Sequence, residues 1–282
     1  MTLGMWLQDW LELYVDPSNL AQNTKKCYHR AVRAVPEALA GQSLQELSPL
    51  DLRRWLLQVA QQTPRAAQLD RVMLSRSLKI AAKLGFCRAG MIDEDVCPQI
   101  VHEAKKTAVL TADEMRRYMA AAAQTDIAPI LMLCCCGCRR GEAMGARWTD
   151  LDLKAGTLAM TVQRQDREPL PLKSKAAHRV ILLPPQLLDV LRAWPRSFDG
   201  WLCSCSQQVV YKRHRQLLAD QHLPVVTLHG LRHSMATIAA MHGEPIKFIQ
   251  AALGHSHYAL TADLYADHLP PIAAVTGRFL TA

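Results

Sequence analysis

The stretch Thr227-Leu-His-Gly-Leu-Arg-His-Ser234 sets His229 and Arg232 three residues apart, so on a helix both face the same way. Upstream, Cys136-Gly-Cys-Arg-Arg-Gly-Glu142 follows an apolar helical run that ends at Gly137. A helix starting at Arg139 puts Arg139 and Glu142 at i, i+3, within reach of each other. An arginine directly after an apolar run needs an anionic partner, because burying a lone cation is costly; the other reading is a surface arginine at a helix start. Leu172-Lys-Ser-Lys-Ala-Ala-His-Arg-Val-Ile-Leu-Leu183 carries Lys173 and Lys175 between two strand-like runs. This predicts a β-hairpin whose polar tip either offers a proton or a charge to a bound substrate or is simply solvated. Downstream, Pro245 marks a helix start and Gly254 its C-cap, so His255 emerges just past a helix end, where it can point into a cleft. Tyr265 follows ten residues later, in another short helix.

Taken singly, each of these residues has an ordinary structural explanation. Taken together, two arginines, a lysine, two histidines and a tyrosine make a site for a phosphodiester. Arginine forks match phosphate oxygens in pairs, and their charge counts most on a pentacoordinate phosphorane. A tyrosine hydroxyl can attack phosphorus to give a covalent ester. A lysine or histidine can protonate the departing sugar oxygen. No carboxylate cluster is visible and the chemistry needs none.

The rest of the chain fits an anionic partner. The 282 residues carry a net charge of +8, half are hydrophobic and 21% are charged. This is a globular composition, not a disordered, collagenous or coiled-coil one. Length alone predicts two domains or one large one. No apolar run reaches the roughly 18 residues of a membrane span, and the amino-terminal MTLGMWLQDWLELYV, with Asp9 and Glu12 inside it, does not read as a signal peptide. Residues 24–88 alone hold twelve basic and four acidic side chains. Their periodicity predicts a four-helix module: Trp6, Trp10, Leu11 and Tyr14 form a first stripe. A second helix spans 21–38. A third begins after Ser48-Pro49 with Leu52, Leu56, Leu57 and Val59 apolar, and a fourth spans 65–84 with Val72, Leu74, Leu78 and Ile80 inward. Lys25, Lys26, Arg30, Arg33, Arg71, Arg76, Lys79 and Lys83 are the candidate DNA contacts of that module, against the plainer reading of solvated helix faces. Lys105 and Lys106 are further candidates in a linker, 98–110. Thr111 and Glu114 then have capping-box spacing at the start of a second domain. Helices are expected at 111–123 and 126–136, short strands near 147–152, 157–162, 169–173 and 179–183, and helices again after Pro184-Pro185.

The ordered set CGCRRGEAMGARWTDLD, LKSKAAHRVILLPP, LHGLRHSMAT and LGHSHYALTADLYADH resembles the tyrosine recombinases of the phage-integrase family, over about residues 107–268. The resemblance implies a mainly α fold with a small antiparallel β-sheet. It pairs a helical core-binding domain (1–97) with a mixed α/β catalytic domain (111–282) ending in a tail (266–282). It implies that Arg139 and Arg232 clamp phosphate and that Lys173 is the general acid toward the 5′-oxygen. His229 would assist proton transfer, His255 contact the scissile phosphate and Tyr265 be the nucleophile, with Glu142 supporting the first arginine. It further implies a 3′-phosphotyrosyl ester and a Holliday junction, with no ATP, metal or other cofactor. The implied partners are double-stranded DNA at recombination sites, further copies of the chain in a tetramer, and a directionality factor or DNA-bending protein. The implied location is the cytoplasm, at the bacterial nucleoid, with no membrane partner. Departures are few. Cys136-Gly137 stands where the family has Thr-Gly. Lys175 is a second hairpin lysine, and Tyr258 is a second tyrosine near His255. The stretch before Trp6 is short for the extra arm-binding domain of many relatives, so the expectation is either a two-domain member or a sequence that starts after such a domain.

Three rival readings are weaker. Cys134, Cys135, Cys136, Cys138, Cys203 and Cys205 lack the paired C-x₂₋₄-C spacing of a structural zinc site. Neighbours so close also cannot form a disulfide framework, which points to a reducing compartment. A DNA-binding but inactive relative would not need all six positions intact. A type IB topoisomerase would use similar chemistry without joining two sites.

Overall fold

A computed structural model describes residues 1–95, 97, 99–100, 108–165 and 168–254. The chain forms two compact units, Met1–Lys105 and Lys106–Ala282. Among the described residues no helix is long and apolar enough to cross a membrane.

The first unit is helical. Helix α1 (Leu3–Trp10) is capped by Thr2, whose Oγ1 accepts from the Met5 N–H at 3.3 Å, and it runs on into a π-helical turn over Leu11–Val15. Helix α2 (Gln22–Arg33) stops short of the expected 38, because Pro36 cannot sit inside a helix and a separate short α3 (Glu37–Ala40) follows it. Helix α4 (Pro49–Gln62) has Ser48 as cap and Pro49 in its first turn, and α5 (Pro64–Lys83) likewise opens on Pro64. Trp6, Leu7, Trp10, Trp55, Leu56, Leu74 and Leu78 fill the core, and the Trp6 indole N–H donates to the Ser77 carbonyl at 3.2 Å. Two expected inward positions are corrected. Leu57 is 49% and Val72 40% exposed, because the buried stripes run through Leu52, Trp55 and Leu56 on α4 and through Met73, Leu74, Ser77, Leu78 and Ala81 on α5.

The second unit is built around α7. Before it, α6 (Ala112–Ala122) opens on the predicted capping box: the Thr111 N–H donates to Glu114 Oε2 at 2.7 Å and the Glu114 N–H to Thr111 Oγ1 at 3.3 Å. All eight residues of α7 (Ala128–Cys135) are buried, as a helix apolar all round must be. Burial raises the thiols of Cys134, Cys135, Cys136 and Cys138, the last to about 12, and all nine cysteines are free. Among the described residues no three metal-binding side chains are grouped. Then come α8 (Arg140–Met144), a 3-10 turn over Trp148–Asp150, and β1 (Leu151–Asp152), β2 (Thr157–Met160), β3 (Val162–Gln165), β4 (Glu168–Pro171) and β5 (Arg179–Leu182). Helices α9 (Pro185–Ala193), α10 (Gln207–Asp220), α11 (Leu228–Met241) and α12 (Ile246–Leu253) complete it.

The strands form two small antiparallel sheets, β1-β2-β5 and β3-β4. The hairpin expected across Lys173 and Lys175 is therefore not formed, since β4 pairs with β3 and β5 with β2. The reason lies in β4 itself. Pro169 and Pro171 remove the N–H groups from one of its edges, so it can pair on the other side only. Lys173 and Lys175 lie in the connection between the two sheets, where Lys175–Ala177 makes a 3-10 turn.

Candidate active site

Arg139 caps α8, and one carboxylate organises it. Its main-chain N–H donates to Glu142 Oε2 at 2.9 Å and its Nη1 to Oε1 at 2.6 Å. Glu142 is 2% exposed. Arg179, the first residue of β5, donates from Nη2 to Glu142 Oε2 at 2.9 Å, and Arg232 Nη1 lies 4.0 Å from the same oxygen. Three guanidiniums thus surround one buried carboxylate. Burial by itself raises the Glu142 carboxyl, but the Arg179 hydrogen bond and charge, with Arg139, more than offset it and hold it below the usual range.

Arg232 projects from α11 and is 1% exposed. Its Nη1 donates to the Gly137 carbonyl at 2.5 Å and its Nη2 to the Leu253 carbonyl at 2.6 Å, while Nε is buried without a partner. Gly137 can make this turn because it is glycine. Its φ is +86°, and a Cβ there would fall 2.2 Å from Met235 Cε. Burial, then the charge of Arg139, draws Arg232 down to about 10 against the pull of Glu142, so it stays charged at neutral pH.

The end of α12 faces the same three arginines. The Ala252 carbonyl accepts from Arg179 Nε at 2.7 Å, Leu253 from Arg232, and Gly254 from Arg139 Nη2 at 3.1 Å. These are orphan carbonyls at the negative end of a helix dipole, and each is satisfied by a different cation. Gly254 ends the helix at φ +65°, as its sequence position predicts.

His229 sits in the first turn of α11, stacked edge-on against His233 with ring centroids 4.3 Å apart. The residue is exposed. Even so, surrounding protein, then His233, Arg232, Arg139 and Lys173, push its imidazole down to about 4. Lys173 is exposed, and its charge is felt at that ring. The fold therefore gathers Arg139, Glu142, His229 and Arg232. His255 and Tyr265 lie outside the described residues, as do Tyr258, the tail 266–282, Lys105 and Lys106. In the first unit Lys26, Arg30 and Arg33 are exposed on α2 and Arg76, Lys79 and Lys83 on α5. Arg76 lies 5.8 Å over the Tyr28 ring. Lys25 and Arg71 are engaged internally, donating to the carbonyls of Asp16 at 2.6 Å and Cys97 at 2.8 Å.

Arg179 is the site residue that the sequence reading missed. A signal for it existed in the alternation of β5. Ile181 is buried between exposed Val180 and Leu182, and Arg179 shares the face of Ile181. A cation on the inward face of a strand needs a buried anion.

Three arginines around one carboxylate, with His229 on the same helix as Arg232, suit an anionic substrate such as a phosphodiester, and comparison narrows this. The sequence profile of the phage integrase family matches residues 92–270. An integrase of Streptomyces ambofaciens is 25% identical over 302 residues, covering 96% of this chain and 77% of the relative. The Tn1549 transposon integrase, solved with a circular intermediate DNA, superposes with a TM-score of 0.81 at 17% identity over the whole of both chains. Lambda integrase, solved as a tetramer bound to a Holliday junction, gives 0.72 at 18% identity, covering 94% of this chain and 77% of that one. The chain belongs to the phage integrase family and is a tyrosine-type site-specific DNA recombinase.

Proposed function

We propose that the chain cleaves and rejoins DNA through a covalent ester on Tyr265. The Tyr265 oxygen attacks phosphorus as its proton passes toward the neutral His229 imidazole, the bond from phosphorus to the 5′-oxygen breaks, and Lys173 supplies the proton that the 5′-oxygen takes up. Arg139 and Arg232 carry the charge that grows on the non-bridging oxygens, His229 assists proton transfer, and His255 contacts the scissile phosphate. The freed 5′-hydroxyl attacks the partner strand, so a Holliday junction forms and the ester conserves the bond energy without a cofactor. The observation that carries this reading is the convergence of Arg139 and Arg232 on buried Glu142, with His229 three residues before Arg232 on α11.

The same proposal makes residues 1–97 a core-binding domain, 98–110 a linker and 111–282 the catalytic domain. Lys25, Lys26, Arg30, Arg33, Arg71, Arg76, Lys79, Lys83, Lys105 and Lys106 contact DNA phosphates. Four copies assemble on paired sites at the bacterial nucleoid, with the tail 266–282 docked on a neighbour and a directionality or DNA-bending protein setting direction. The DNA-bound dimers and tetramer of lambda integrase support the assembly. The test is adduct formation on a nicked attachment-type DNA. The adduct should vanish in Tyr265→Phe and persist in Tyr258→Phe; an adduct surviving the first change assigns the nucleophile elsewhere.

A further inference from the structure

We propose that Arg179 is a positioning residue for strand cleavage, tying the end of α12 to the carboxylate that orients Arg139. This rests on the active-site reading above. It concerns a residue with no partner in the reaction itself.

The geometry is a single side chain spanning three elements. From β5, Arg179 Nη2 reaches Glu142 on α8 at 2.9 Å, Nε reaches the Ala252 carbonyl of α12 at 2.7 Å, and Nη1 returns to the Ala177 carbonyl of its own loop at 3.1 Å. Its side chain is 7% exposed, so these bonds are made away from bulk water, where a planar fork keeps its geometry. The joint is tight. A Cβ at Gly254 would fall 2.8 Å from the Ala176 carbonyl and 3.1 Å from Arg179 Nη1. The chain leaves α12 at Gly254, one residue before His255 and eleven before Tyr265. Arg139 and Arg232 also bond this helix end, but they are the phosphate cations of the proposed reaction. Arg179 is the member of the trio that has no phosphate to clamp in that reaction, so it can hold the α12 exit in place while the other two rearrange around substrate. It also connects the loop of Lys173 to that exit through Ala177. A displacement of about 1 Å between reacting groups costs on the order of a hundredfold in rate.

The experiment compares Arg179→Lys and Arg179→Met with the wild-type full chain on a nicked DNA substrate, in single turnover at saturating DNA. Affinity and thermal melting are measured alongside. Lysine keeps a cation for Glu142 but cannot reach Glu142 and Ala252 together. The expected result is adduct formation slowed about tenfold to hundredfold in the lysine variant and further in the methionine variant, with the lysine variant's DNA affinity and melting close to wild type. The slowing should shrink in a His255→Ala background, because the two residues then act through one another. Wild-type rate in Arg179→Lys would overturn the proposal. So would a slowing that merely follows lost folding or lost DNA affinity, which would make Arg179 a structural strut. Tyr265→Phe is run in parallel. An adduct in that variant removes the nucleophile assignment while leaving the Arg179 rate comparison readable.

Discussion

Glu142 and Arg139 are joined twice: Oε1 accepts from the Arg139 guanidinium at 2.6 Å, and Oε2 accepts from its main-chain N–H at 2.9 Å. One carboxylate thus fixes both the side chain and the helix start that carries it. Because Oε2 also takes Arg179, Glu142 neutralises part of a cluster that would otherwise repel itself.

Glu142→Ala should destabilise the second unit by about 3–5 kcal/mol, the cost of leaving buried cations unpaired. The carboxyl is held below its ordinary value of 4.5. Its contribution is therefore fully present above that pH and is lost as the pH falls through the lower folded value. Urea melts of wild type and Glu142→Gln at pH 7 and pH 3 measure this: the gap between them should narrow at the acid end.

His229 is held at about 4, against an ordinary 6.5. Between those values the unfolded chain binds a proton that the folded chain refuses, so stability falls as the pH falls across that window. Ring titration by NMR should place the free-protein midpoint near 4. A bound phosphate offsets the neighbouring cations, so DNA should move the midpoint upward.

Lys173→Ala should slow cleavage of ordinary DNA by about 10²- to 10⁴-fold, the usual contribution of a general acid. A substrate with sulfur at the 5′-bridging position loses a thiolate that needs no proton, and on it the variant should cleave at close to wild-type rate. Failure of that rescue, with rescue of Lys175→Ala instead, would move the acid to the second lysine.

The exposed cations of α2 and α5 should set the salt dependence of DNA binding. Replacing Arg30, Arg76, Lys79 or Lys83 with alanine should each reduce the slope of log K against log salt by about 1, and an unchanged slope removes that side chain from the DNA contacts. Lys25 and Arg71, already bonded to the carbonyls of Asp16 and Cys97, should contribute less.

Legibility in the sequence followed the distance over which each interaction acts. The Thr111–Glu114 box, the Pro49 start, the Gly254 cap and the Arg139–Glu142 pair are local, and spacing alone exposes them. The meeting of His229 and Arg232 with Arg139 and Glu142 was legible only through the ordered set of motifs, because no local rule brings α11 to α8. Arg179 was missed because its partners lie 37 and 73 residues away. The misassigned hairpin around Lys173 hid the strand alternation that would have turned Arg179 inward. Two prolines in β4 decided that pairing, and their effect depends on which edge faces which neighbour.

The buried thiols have a practical consequence. Cys97 is sealed in the core of the first unit, while Cys134, Cys135 and Cys138 are sealed in that of the second. A sulfhydryl reagent can reach them only when the unit that holds them opens. Alkylation followed by peptide mass analysis therefore times the opening of each unit separately in the unaltered chain, without an introduced probe.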